Sequence, residues 1–206
     1  MSTRSDRSTG RGVTLVELIV FIVIVGVAMA GLFAAFNTIT AASADPQVRK
    51  QVLAIAESLM EEVQLMPFTY CDSDDPKAPT ATDAGTGATG CTSALTSEDT
   101  TMGPESVPSL ETRSSATARF DNVSDYHDFR MGTLYSMPAG IQDIEGNTVS
   151  GLDAYSALIT ITRAGTALGL AANEDALKIS ILVTGPGSVS MTLDGYRARY
   201  APTTLP

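Results

Sequence analysis

The sequence predicts an α+β chain, helical in its first third and folded into a small antiparallel sheet in its last. Three observations carry this. Residues 18–36 form an apolar run without a single charge. Apolar residues then recur at spacings of three and four from Val48 to Met66, the period of a helix that buries one face. From Tyr155 onward the period shortens to two, as in strands with one face covered.

The 206 residues suffice for one medium domain plus an anchor, or for two small domains. The net charge of −10 argues against nucleic-acid binding, which needs a basic face, and against docking of the polar part on anionic lipid. The charge is unevenly placed, with Arg4, Arg7 and Arg11 set against the lone acid Asp6 before the apolar run. A single histidine, His127, excludes a His-rich metal centre. It stands in a polar stretch and reads as a surface residue, so the chain is not expected to be an enzyme.

The apolar run is 19 residues long. At about 1.5 Å per residue it reaches about 28 Å, close to the ~30 Å hydrocarbon core of a bilayer. The arginines before it predict a cytoplasmic N-terminus, with the remainder on the far side. A cleaved secretory signal is the competing reading, but such apolar regions are usually about 7–15 residues and end at a small-residue cut. Glu17, one turn inside the helix, is the anomaly. A carboxylate there costs a few kcal/mol at mid-membrane and less near the interface, so it is either a tolerated interfacial residue or one that awaits a cation. No Lys or Arg lies between Glu17 and Arg49. A chain cut after Gly12 would supply a cation as the new α-amine of Val13, four residues before Glu17.

The stretch "GRGVTLVEL" resembles the type IV prepilin signature: a short basic leader ending in Gly, then an apolar residue, Thr, Leu, an apolar residue and Glu, opening an apolar helix. Gly12, Thr14, Leu15 and Glu17 match it, and Val13 stands where the family most often has Phe or Met. The resemblance implies that a prepilin peptidase removes residues 1–12, cutting between Gly12 and Val13, and methylates the Val13 amine. It implies that Glu17 then pairs with the N-terminal amine of a neighbouring subunit during filament assembly. Three further blocks, beginning "SADPQVRKQVLAIAESLMEEVQLM", "FDNVSDYH" and "GPGSVSMTLDGYRARYAP", are similar to D-type minor pilins of mannose-sensitive haemagglutinin pilus biogenesis. The implied role is a structural one in an inner-membrane, single-pass protein with a periplasmic head that caps or initiates a pilus. Its partners would be prepilin peptidase and other pilins, with no nucleic acid and no cofactor. A pseudopilin of a type II secretion system, and a membrane-anchored binding module with calcium-dependent acidic loops, are the alternatives.

Asp45-Pro46 fits either a second helix starting at Pro46 or one long helix bent there; the resemblance favours one long helix, 13–36 in the membrane or filament core and 37–66 amphipathic, before a head of 67–206. Along 37–66, Val48, Val52, Ile55, Leu59, Val63 and Met66 form the stripe, with Gln51, Glu57, Glu61 and Glu62 largely off it, and Pro67 ends the helix. The stretch from Cys71 to Cys91 lacks apolar periodicity and reads as a loop, which a Cys71–Cys91 disulfide would hold. An even cysteine count beyond a membrane segment supports that bridge. Asp72, Asp74 and Asp75 offer oxygen ligands, but without EF-hand spacing they read as a solvated acidic loop rather than as a calcium site. Asp121, Asn122, Ser124, Asp125 and Asp128 form a second acidic stretch read in the same way.

The Gly-rich "GTGATG" follows no strand and opens no apolar helix, so phosphate binding is unsupported. Residues 92–117 read as a long surface loop, and Phe120, Tyr126 and Phe129 as anchors for the stretch around them. Strands are expected at 155–162, 177–184 and 189–193. Gly185-Pro186-Gly187 should form a type II turn, and Asp194-Gly195 a turn or bulge before 196–200. Weaker strand candidates are 134–137 and 148–152.

Overall fold

A computed structural model of the chain describes residues 14–99, 102–106, 110–137 and 140–200, with 37–45 described by backbone alone. The chain divides into two compact units, Met1–Pro46 and Gln47–Pro206. One helix, α1 (Leu15–Leu65), contributes to both and carries Pro46 inside it. Proline at this position removes one rung of the helical ladder. The helix closes where expected: the Met66 N–H donates to the Val63 carbonyl at 3.2 Å, and Pro67 follows.

In the N-terminal unit the segment Leu15–Phe36 is long and apolar enough to cross a membrane, and no part of it is buried within the chain. Leu15, Phe21 and Val27 are 75%, 64% and 70% exposed. A continuous apolar surface of this kind has to be covered by lipid or by other helices.

The second unit is built on a four-stranded antiparallel meander: β1 (Arg130–Met131), β2 (Ser156–Arg163), β3 (Ala176–Thr184) and β4 (Ser190–Ala198), in that order across the sheet. Register follows from the alternation. Ile159 faces Ile181 and Ile181 faces Leu193; Ile161 faces Ile179, and Ile179 faces Gly195. These inner-face residues meet Val52, Ile55, Leu59, Met60 and Val63 of α1 in one core. Each large aliphatic side chain buried there contributes about 1.5–3 kcal/mol. The α+β architecture predicted from the change of period is present.

Several expectations are corrected. Asp194-Gly195 is no turn, because β4 runs straight through it. Gly195 is instead a point of close approach, where an added Cβ would lie 2.6 Å from the Met60 sulfur and 3.0 Å from Gln64 Nε2. The stretch 134–137 is no strand either: Thr133–Tyr135 is a 3-10 turn, closed by Ser136 in the left-handed region. Around 148–152 there is only an isolated bridge, Gln142 to Thr148. The loop at Gly185-Pro186-Gly187 does reverse the chain, but Pro186–Ser188 forms a 3-10 turn with Gly187 at φ 68. Strand β1 was not foreseen; at two residues it is too short to show a period.

Candidate functional site

Two places in the molecule concentrate chemistry, one in each unit. The first is the start of α1. Thr14 precedes the helix, and its hydroxyl accepts a hydrogen bond from the Glu17 N–H at 3.3 Å. The Leu18 N–H donates to the Thr14 carbonyl at 3.1 Å. Thr14 is therefore the N-cap, satisfying one of the amides that a helix leaves open at its start. Thr14 to Glu17 also has the spacing of a capping box. Glu17 lies in the first turn, exposed, at the end where the helix dipole favours a negative charge. Gly12 and Val13, the expected cleavage and methylation residues, lie outside the described residues.

The second place is a set of acids in the head. The bridge between Cys71 and Cys91 is formed, and both cysteines are fully buried. Asp75 is held within this loop, beside Cys71 and Cys91, whose sulfurs are spent in the bridge. Its carboxylate accepts from Thr92 N at 2.8 Å, Lys77 N at 2.8 Å and the Thr92 and Thr96 hydroxyls. Burial pushes its pKa up, but these donors outweigh burial and hold it below the usual value. Asp72 and Asp74 turn the other way. The Asp74 N–H donates to Asp72 Oδ1, and the two carboxylates come together with Glu111, their oxygens within 4.8 Å of one another.

A second triad, Glu98, Glu105 and Asp125, is buried throughout and meets the same limit of 4.8 Å. Each member is positioned by backbone. The Glu98 N–H donates to Tyr70 O at 3.1 Å, beside the Cys71–Ser97 bridge. The Glu111 N–H donates to Glu105 O at 3.0 Å. Asp125 Oδ2 accepts from Asp121 N at 2.8 Å and Asn122 N at 2.7 Å, and Glu98 Oε2 accepts from the Ser124 hydroxyl. The opposite oxygens, Glu98 Oε1, Glu105 Oε1 and Asp125 Oδ1, have no partner. Asp72 Oδ2 and Glu111 Oε2 are also unpartnered.

Burial, and then mutual repulsion, raise these carboxyl pKa values. Burial and the nearby Asp72 and Glu111 push Glu105 to about 8. Burial and Asp125 push Glu111 to about 8, and Glu98 and Asp125 rise well above the carboxylate range for the same two reasons. The arginines near the head core serve other acids: Arg113 grips Glu62 through two nitrogens at 2.6 and 2.7 Å, and Arg199 holds Asp99 at 2.5 Å.

Of the acids expected in solvated loops, Asp72, Asp75 and Asp125 are buried, while Asp74 and Asp128 are exposed as expected. Glu98, Glu105 and Glu111, in what read as a surface loop, are drawn into the head. His127 is half-buried rather than a free surface residue, and its Nδ1 accepts from Ile161 N at 3.2 Å. Phe120, Tyr126 and Phe129 do anchor their segment, packing edge to face with centroids 5.0, 5.7 and 6.3 Å apart.

Residues 7–33 match the prokaryotic N-terminal methylation motif. No curated protein and no solved structure matches the chain. The motif covers only the N-terminal segment and supports a type IV pilin-like or pseudopilin-like protein, anchored in a membrane through its first helix.

Proposed function

We propose that the chain is a type IV minor pilin-like structural protein, processed by a prepilin peptidase and assembled into, or priming, a pilus. The observation that carries the reading is a coincidence at one helix end. The methylation motif, a capped start at Thr14, an acid at Glu17 and a fully exposed apolar helix all fall within 7–36. The leader, 1–12, is removed between Gly12 and Val13, and the Val13 amine is methylated. Residues 13–36 then lie in the inner membrane or the filament core. Residues 37–66 continue the helix, and the head, 67–206, is periplasmic with the N-terminus cytoplasmic. The protein acts by packing, not by catalysis, and its partners are the peptidase and other pilins.

The electrostatic step is specific. A carboxylate and an ammonium group, each costly alone in a low-dielectric helix bundle, neutralise one another when adjacent subunits come into register. Glu17 therefore waits for the amine of a neighbour. Similarity of the blocks quoted above to D-type minor pilins supports a place at the tip or base of the filament rather than in its shaft. A pseudopilin of a type II secretion system would use the same N-terminal motif, and the genes flanking this one discriminate between the two machines.

The test is Glu17→Ala. Membrane insertion and steady-state amount should be unchanged, while recovery with sheared filaments should fall at least about tenfold, the loss of one buried charge pair. Undiminished recovery of the variant in filaments would overturn the pairing.

A further inference from the structure

We propose that the head holds calcium in a buried carboxylate cluster, with Glu98, Glu105 and Asp125 as one ligand triad and Asp72, Asp74 and Glu111 as the adjoining one. The site goes beyond the assembly reading and stands without it, since every residue in it belongs to the unit Gln47–Pro206.

The argument starts from what burial of acids demands. A buried carboxylate is retained where it is paired, protonated or bound to a metal. Here five of the six acids are buried, and each of those five has an oxygen without a hydrogen-bond partner. Glu98 is 2% exposed and Asp125 0%. In both, one oxygen is held by donors from the chain, and the other is buried without a hydrogen-bond partner. Fixing one oxygen and leaving its twin open is how a protein orients a carboxylate toward an ion.

The chemistry of the donors selects the ion. All are hard oxygens, with no histidine or free thiol among them, which favours calcium or magnesium over zinc or copper. The oxygens of each triad lie within 4.8 Å of one another, close enough to share one cation. Magnesium keeps several waters and takes one or two carboxylates, so a buried, carboxylate-rich cage suits calcium.

The ligands come from three stretches remote in sequence. Asp72 and Asp74 follow Cys71, Glu98, Glu105 and Glu111 come from the next stretch, and Asp125 sits in the 3-10 turn Ser124–Tyr126. A bound ion would fasten them together in a part of the head that has little regular structure.

The experiment uses the full chain in detergent micelles, stripped with chelator and then titrated with CaCl₂. Equilibrium dialysis should give one or two calcium ions per chain. Saturating calcium should raise the unfolding temperature by about 5–10 °C over chelator, as ligation of the native state at about 100-fold over Kd predicts. The double variant Glu98→Gln, Asp125→Asn should lose that shift and bind at least about tenfold more weakly, yet unfold in chelator no lower than the parent, because it no longer buries those charges. No bound calcium and no thermal shift at millimolar CaCl₂ would overturn the site. An equal shift from MgCl₂ would overturn its assignment to calcium, and a full calcium response in the double variant would overturn its ligands.

Discussion

Gly132 and Gly195 show how differently two glycines in one small head constrain the chain. At Gly132, φ is +90, and an added Cβ would run into the Tyr155 carbonyl and the Ser156 hydroxyl, so both backbone conformation and space forbid a side chain. At Gly195 the obstacles are the flexible ends of Met60 and Gln64. Gly132→Ala should therefore cost about 3 kcal/mol in denaturant unfolding of the detergent-solubilised chain, and Gly195→Ala about 1 kcal/mol. Equal losses at the two sites would contradict this account of β1 and β4. Legibility at this scale was uneven. Glu17 stood out because a charge in an apolar run is conspicuous wherever it occurs. Glu98, Glu105 and Glu111 looked like ordinary polar loop residues, since nothing local marks an acid that tertiary structure will bury. Gly195 was read as a turn because Asp-Gly is a turn signal, whereas its actual constraint is a helix lying above it.

Among the elements, those with a sustained period were the most readable. The stripe Val52, Ile55, Leu59, Val63 fixes which face of α1 is buried, and the alternations in β2 and β3 fix their register. Elements shorter than one period, such as β1 and the 3-10 turns, carry no such signal. The disulfide loop was also legible, through two cysteines bracketing a stretch without periodicity. Its bridge joins residues 20 apart and closes a region otherwise fixed by Asp75 and a few bridges. Replacing both Cys71 and Cys91 with Ser should lower stability by about 3 kcal/mol. Reduction of the parent chain should reproduce the loss, read as a matching drop in the denaturant midpoint. A variant as stable as the oxidised parent would show that hydrogen bonds alone hold the loop.

For the whole molecule, two separate physical demands explain the sequence. An exposed apolar helix needs a medium or neighbours to cover it, and the loop-rich part of the head needs cross-links. The disulfide supplies one cross-link, the Arg113–Glu62 pair a second and, on the inference above, calcium a third. The first demand was plain in the sequence because apolarity is local and additive along a helix. The second was hidden because it depends on which loops meet.

The central claim is that processing creates the cation that Glu17 awaits. The direct test is the N-terminal residue of the protein, read by mass spectrometry after extraction from membranes of cells with and without a prepilin peptidase. The account predicts a chain beginning at N-methylated Val13 in the first and an uncut leader in the second. A protein that keeps residues 1–12 in peptidase-positive cells and still assembles, or one cut beyond Phe36 and released as a free head, would contradict it.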